Sequence, residues 1–192
     1  DENPTNKIPE DMLAKLEGGE EALLFSSGMA AAVSVFQALN PGDHIVAPTI
    51  MYWGLREWLI DFTEKWDIGL TLYNAADENA LADSIVNKKT KLIWIETPCN
   101  PTWDIIDISA AVKIAKSCGA KLVIDSTVAT PVLSRPIEFG VDIVMHSATK
   151  YLNGHGDVVA GALICNKMDD FWESIRKNRV QGGAIIGSFE AW

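Results

Sequence analysis

The chain has 192 residues, 48% hydrophobic and 22% charged, with a formal net charge of −10. That is enough apolar sequence for one globular domain with a sizeable core. The acidic balance excludes a nucleic-acid surface, which needs a basic stripe to displace counterions, and an anionic membrane surface as well; no apolar run approaches the ~18 residues of a membrane helix.

The three cysteines, Cys99, Cys118 and Cys165, are odd in number and lack a CxxC pattern. Reduced thiols in a cytoplasmic protein are expected, not a disulfide frame. His44, His146 and His155 show no metal-ligand spacing, so no metal site is expected. Asp1-Glu2-Asn3-Pro4 does not read as a signal peptide. Both ends look cut, with no initiator methionine and a stop at Trp192 in an apolar stretch, so a piece of a longer protein is expected.

Taken in order, residues 8–17 predict a helix with Pro9 and Glu10 in its first turn and Gly18-Gly19 as its stop. Glu21 to Phe25 predicts a short strand. Ser26-Ser27-Gly28 leads into the helix former Met29-Ala30-Ala31-Ala32-Val33. A strand, a small-residue turn and a helix N-terminus make an anion cradle, with the N–H groups of Gly28 and Met29 facing outward. Asn40-Pro41-Gly42-Asp43 is a turn, and His44 to Ala47 a strand. Over 52–66, Leu55, Trp58, Leu59, Phe62 and Trp66 recur at helical spacing, so they are expected in the core. Tyr52 stands at the start of that helix, where its ring could cover a flat ligand. Ile68 to Tyr73 predicts a strand and 77–87 a helix with Asp77 as N-cap.

Lys91 to Ile95 predicts a strand running into Glu96-Thr97-Pro98-Cys99-Asn100-Pro101, a polar turn stiffened by two prolines. Residues 107–118 predict a helix stopped by Gly119. Lys121 to Ile124 is a strand ending at Asp125-Ser126-Thr127, and an acid there costs desolvation unless it is paired. Val141 to Val144 is a buried strand followed by Met145-His146-Ser147-Ala148-Thr149-Lys150. A lysine just past a buried strand is expected to be held short of water, which favours the neutral, nucleophilic amine. Ser147 and Thr149 face the same way and can donate to an anion. Val159 to Cys165 is a strand, and 168–180 a helix carrying Phe171, Trp172 and Ile175 on one face.

Alternating strands and helices predict a three-layer α/β/α domain over 1–192 with a mostly parallel sheet. Parallel strands bring Gly28, Tyr52, Glu96 to Asn100, Asp125 to Thr127, and Ser147 to Lys150 to one edge, where open α/β sheets bind ligands. Gly154-x-Gly156 with Gly161 is a poor GxGxxG and precedes a strand, so a dinucleotide fold is not expected. No GxxxxGK[ST] occurs.

Four stretches in order carry a resemblance: Ser26 to Ala31, Glu96 to Thr102, Val123 to Pro131, and His146 to Tyr151, with Asn3-Pro4-Thr5 ahead of them. Together they resemble the Cys/Met-metabolism family of pyridoxal-phosphate enzymes, over the whole chain. The resemblance implies the large domain of a fold-type I transferase and pyridoxal 5'-phosphate as cofactor. It implies that Lys150 forms the Schiff base, that Asp125 pairs with the pyridine nitrogen, and that Tyr52 stacks on the ring and moves protons. It further implies that Gly28 and Met29 amides and Ser147 and Thr149 hydroxyls hold the phosphate, with Glu96, Asn100 and Thr127 as neighbours. The implied activity is β/γ-elimination or γ-replacement on a small sulfur amino acid, in a homo-oligomer. The alternatives are a homoserine-ester sulfhydrylase and an inactive module that keeps the fold. The chain departs from the family at Trp53 and Gly156, where a glycine and a serine are usual, and at Val128, where an aromatic is usual. The resemblance also places the substrate-carboxylate arginine and the partner-chain phosphate ligands outside this chain.

Overall fold

The computed structural model describes residues 3–192; Asp1 and Glu2, part of the stretch read against a signal peptide, lie outside the described residues. Seven strands form one sheet: β1 (Glu21–Phe25), β2 (His44–Pro48), β3 (Gly69–Tyr73), β4 (Thr90–Glu96), β5 (Lys121–Asp125), β6 (Ile143–His146) and β7 (Gly161–Cys165). Their order is β1-β7-β6-β5-β4-β2-β3. β2, β3, β4, β5 and β6 pair parallel, and β7 pairs antiparallel to both β1 and β6. All strands except β7 therefore run the same way. The middle of β4, Leu92-Ile93-Trp94-Ile95, is fully buried, the continuous apolar run that a strand covered on both faces requires.

Two apolar clusters flank the sheet. One gathers α1 (Pro4–Glu17), α4 (Ala80–Asp83), α5 (Ile108–Cys118) and α7 (Pro136–Phe139), through residues such as Leu13, Leu81, Val112 and Ile137. The other gathers α2 (Gly28–Phe36), α3 (Trp53–Lys65) and α8 (Asp170–Gly182), through Val35, Leu59, Trp172 and Ile175. The expected three layers are present. Two further short helices, α6 (Thr130–Leu133) and α9 (Ser188–Ala191), have no periodic signal in the sequence. Among the described residues, no helix is long and apolar enough to cross a membrane.

The helices differ from expectation in three places. α1 starts at Pro4, because the Asn3 side chain caps it by accepting from the Thr5 N–H. Pro9 consequently lies inside the helix and not in its first turn. The helix expected over 77–87 shrinks to the four residues of α4, since Asp77 accepts from the Asn79 N–H in a local turn instead of capping a longer helix. On α3, Leu55 and Leu59 are buried, whereas Trp66, just past its end, is 54% exposed. Trp58, Phe62 and Trp66 step outward as a chain of ring contacts, with Trp58 and Phe62 stacked at 4.6 Å.

Candidate active site

Because six strands run the same way, the C-ends of β1, β2, β4, β5 and β6 meet at one edge. A cavity of about 850 Å³ opens there. Gly28, Met29, Tyr52, Glu96, Asn100, Asp125, Thr127, Ser147, Thr149 and Lys150 all line it, so the sheet brings every site residue expected from the sequence together.

One wall is the start of α2. The Ser27 hydroxyl caps the helix by accepting the Ala30 N–H at 3.0 Å. Among the described residues the Gly28 and Met29 N–H groups have no acceptor, as expected of a first turn. A Cβ at Gly28 would lie 2.9 Å from the Cβ and Oγ of Ser147. A side chain at this position would push the helix off the loop after β6. The antiparallel β7 closes this corner: a Cβ at its first residue, Gly161, would meet the Ser27 carbonyl oxygen at 2.2 Å. The Ser147 hydroxyl has no partner within the described residues. The Thr149 hydroxyl does: it donates to the Ala160 carbonyl at 3.1 Å and accepts the Ala160 N–H at 3.0 Å. Its proton faces a loop carbonyl and not the cavity, unlike the expectation of a free anion donor.

The floor is acidic. Asp125 ends β5 and stands in register with Glu96 at the end of β4. Asp125 Oδ1 accepts from the Thr127 N–H at 3.0 Å and hydroxyl at 2.6 Å, and the Thr127 hydroxyl oxygen accepts the Ser147 N–H at 2.8 Å. Burial pushes the Asp125 carboxyl above its ordinary range, against the pull of Thr127 and of His146. Glu96 is 4% exposed. Burial, and then the Asp125 charge, push it up to about 7, against the Asn100 and Tyr52 N–H groups that it accepts. Cys99 is buried beside them, and burial raises its thiol to about 11.

Tyr52 precedes α3 and is 43% exposed. A Cβ at Gly54 would come within 3.1–3.3 Å of the Tyr52 ring, so Gly54 makes room for the phenol. Trp53, by contrast, is 73% exposed, outside the cavity wall, with its ring centroid 6.4 Å from that of Tyr52. Asn100 sits between Pro98 and Pro101, both after cis peptide bonds. Lys150 departs from expectation. It lines the cavity, but it is exposed and not held short of water. Its rim of the cavity is shared with Trp103, Val128 and Tyr151, which also line an adjoining apolar groove.

Two of the histidines are structural, while the exposed His155 lines the cavity. His44 bonds the hydroxyls of Thr90 and Thr71 at 2.8 and 2.9 Å. His146 bonds buried Glu17 at 2.5 Å. That pair joins positions 129 apart and gave no sequence signal. Among the described residues, no cluster suits a metal ion.

The fold and the site thus define an α/β protein that gathers an amine, a buried and a half-buried carboxylate, and a helix-N-terminal anion cradle at one sheet edge. The chain belongs to the Cys/Met metabolism PLP-dependent enzyme family, which it matches over residues 1–192. It is 40% identical to the cystathionine beta-lyase MetC of Bacillus subtilis, over 98% of this chain and 48% of that one. Identity is also 40% to the cystathionine gamma-synthase of Mycobacterium bovis, over 99% of this chain and 49% of that one. Among solved structures, cystathionine gamma-lyase from Lactobacillus plantarum complexed with L-serine superimposes with a TM-score of 0.94 at 35% identity, over 99% of this chain and 49% of that one. The chain spans about half the length of the curated relatives it matches. Membership makes pyridoxal 5'-phosphate the cofactor. The cavity fits that molecule: two unpartnered helix N–H groups and a free Ser147 hydroxyl suit its phosphate, and a floor carboxylate and a rim amine suit its two reactive ends.

Proposed function

We propose that the protein is a PLP-dependent enzyme of sulfur amino-acid metabolism, eliminating or replacing a group at Cβ or Cγ of a small amino acid. The observation that carries this is the placement of Lys150 and Asp125 on one cavity whose third side is the open first turn of α2. Lyase and synthase relatives are equally similar, so both arms of the reaction type stand. On this reading residues 1–192 are the cofactor-binding large domain.

The bound cofactor supplies an electron sink that stabilises negative charge at the substrate Cα. The chain's residues do the rest. Gly28 and Met29 amides and the Ser147 hydroxyl anchor a phosphate, helped by the helix dipole; Thr149 joins them if its hydroxyl turns from Ala160. Asp125, fixed by Thr127, would pair with the ring nitrogen and favour its protonated form. Tyr52 would cover the ring and move a proton at its hydroxyl. Lys150 would hold the cofactor through its Nζ, and as a free amine that nitrogen would take the proton from the substrate Cα. Asn100 and Thr127 border the ring. The apolar groove of about 920 Å³ next to the cavity, with Ile105, Val132 and Leu133 exposed, supports a homo-oligomer. Three free cysteines support a cytoplasmic setting.

Adding pyridoxal phosphate to the purified protein should give a visible absorbance band that Lys150→Ala abolishes. No band, or a band untouched by that substitution, overturns the reading. Ketoacid release from cystathionine or methionine, set against condensation of cysteine with an activated homoserine, then separates lyase from synthase.

A further inference from the structure

Glu96 does more than border the cavity. Its two carboxylate oxygens are each taken by a backbone N–H from a different connection. Oε2 accepts from Tyr52 at 2.9 Å, 44 residues away in sequence, and Oε1 accepts from Asn100 at 2.9 Å. Tyr52 heads α3, and Asn100 sits at the tip of the proline-bracketed turn. One buried side chain therefore clamps the β2–α3 connection to the β4–α5 connection at the floor of the site. Only a carboxylate does this with both atoms, because an amide offers one acceptor and an NH₂ that would face an N–H donor.

The clamp also bears on where the Tyr52 ring lies. The Tyr52 backbone is fixed from one side by Glu96, and its ring is seated from the other against Gly54. Around Glu96 stand Asp125 from β5, the Cys99 thiol from the turn, and Tyr52 and Lys150 across the same cavity. No ion pair neutralises Glu96 within the described residues. A buried, unpaired carboxylate whose bonds all go to two site loops is costly to keep unless those loops must be placed.

We propose that Glu96 is a positioning residue that sets the Tyr52 ring over the cofactor by holding the two loops at a fixed separation. This rests on the cofactor reading above and deepens it. Glu96→Gln should lose one of the two bonds, weaken pyridoxal-phosphate binding by about tenfold, and reduce the visible circular dichroism of the bound ring. In the cofactor-free protein, amide exchange should quicken at Tyr52 and Asn100 but not along β4 and β5. In a Tyr52→Ala background, where no ring remains to be placed, the Glu96→Gln factor should fall at least about threefold. Equal factors in both backgrounds, or binding and dichroism unchanged by Glu96→Gln, overturn the proposal. If Glu96→Gln does not fold, Glu96→Asp keeps both acceptors on a shorter stem and carries the same cycle. A wild-type protein without a Lys150-dependent band would instead overturn the cofactor reading, so the two failures are distinguishable.

Discussion

Gly28→Ala tests the cradle most directly. The added Cβ would sit 2.9 Å from Ser147 Cβ and Oγ and 3.0 Å from Ser147 Cα. Ordinary carbon contacts begin near about 3.5 Å, so α2 and the loop after β6 must part by roughly half an ångström or more. Crowding of this kind costs about 1–3 kcal/mol, while alanine in a helix recovers roughly 0.5–1 kcal/mol over glycine. Net destabilisation should be modest, at about 0–2.5 kcal/mol. Binding should suffer more. The same displacement moves the Gly28 and Met29 N–H groups away from the Ser147 hydroxyl, and a mismade hydrogen bond to a charged group forfeits about 1.5–3 kcal/mol, or about 10–100-fold in affinity. Urea unfolding followed by tryptophan fluorescence gives the first quantity, and titration of the visible band gives the second. Gly182→Ala is the control. It lies in α8 with nothing within 4 Å of its Cβ, and should be neutral or stabilising. Wild-type cofactor affinity in Gly28→Ala would refute the claim that the close contact with Ser147 shapes the cradle.

Two further outcomes follow from buried titratable groups. Glu17 and His146 are 0% and 1% exposed at their side chains and 2.5 Å apart. Glu17→Ala should therefore cost about 3–5 kcal/mol in urea unfolding, most of it recovered when His146→Phe and Glu17→Leu are combined; a cost below about 1 kcal/mol would show that the pair carries no such burden. Glu96 binds its proton more tightly in the folded protein, at about 7 against an ordinary 4.5. The folded state thus holds more protons across that window, so this contribution is greatest below pH 4.5 and is lost as pH rises through 7, by about 3 kcal/mol in all. The difference in unfolding free energy between wild type and Glu96→Gln should fall across that window and level off above it. A flat difference would show that burial does not shift Glu96.

The sheet was legible because its strands are short apolar runs bounded by turn residues, and parallel pairing then fixes which ends meet. Gly28, Asp125 and Ser147 could be placed on one edge for that reason alone. What the sequence hid is of two kinds. Boundaries set by single side chains escaped, as with Asn3 capping α1 and Asp77 turning the chain before α4. So did every interaction between distant positions: the Glu17–His146 pair, the Glu96 clamp, and the Thr149 hydroxyl spent on Ala160. Hydrophobic period reports which face of an element is buried, but not which polar group waits there. The exposure of Lys150 belongs to the same class, because a strand-end position does not say how deep the cavity is.

The energetics of the floor argue for its purpose independently of any resemblance. Glu96 and Asp125 stand in register on neighbouring strands, both pushed toward their protonated forms by burial, and neither forms an ion pair with a lysine or arginine among the described residues. Lys150 lines the same cavity yet pairs with neither. Two facing carboxylates without a cation raise the folding cost, and replacing such groups with apolar ones commonly stabilises a protein. A fold selected for stability alone would not keep them. The arrangement would be relieved by a positively charged, flat group in the cavity, which could pair with Asp125 and leave Glu96 its two backbone partners. A protonated ring nitrogen beside Asp125 meets that requirement, whereas an anionic ligand reaching the floor would deepen the repulsion. On the proposed function, the phosphate would then lie at the opposite end, at the open first turn of α2, and the cofactor would run from Asp125 to that turn.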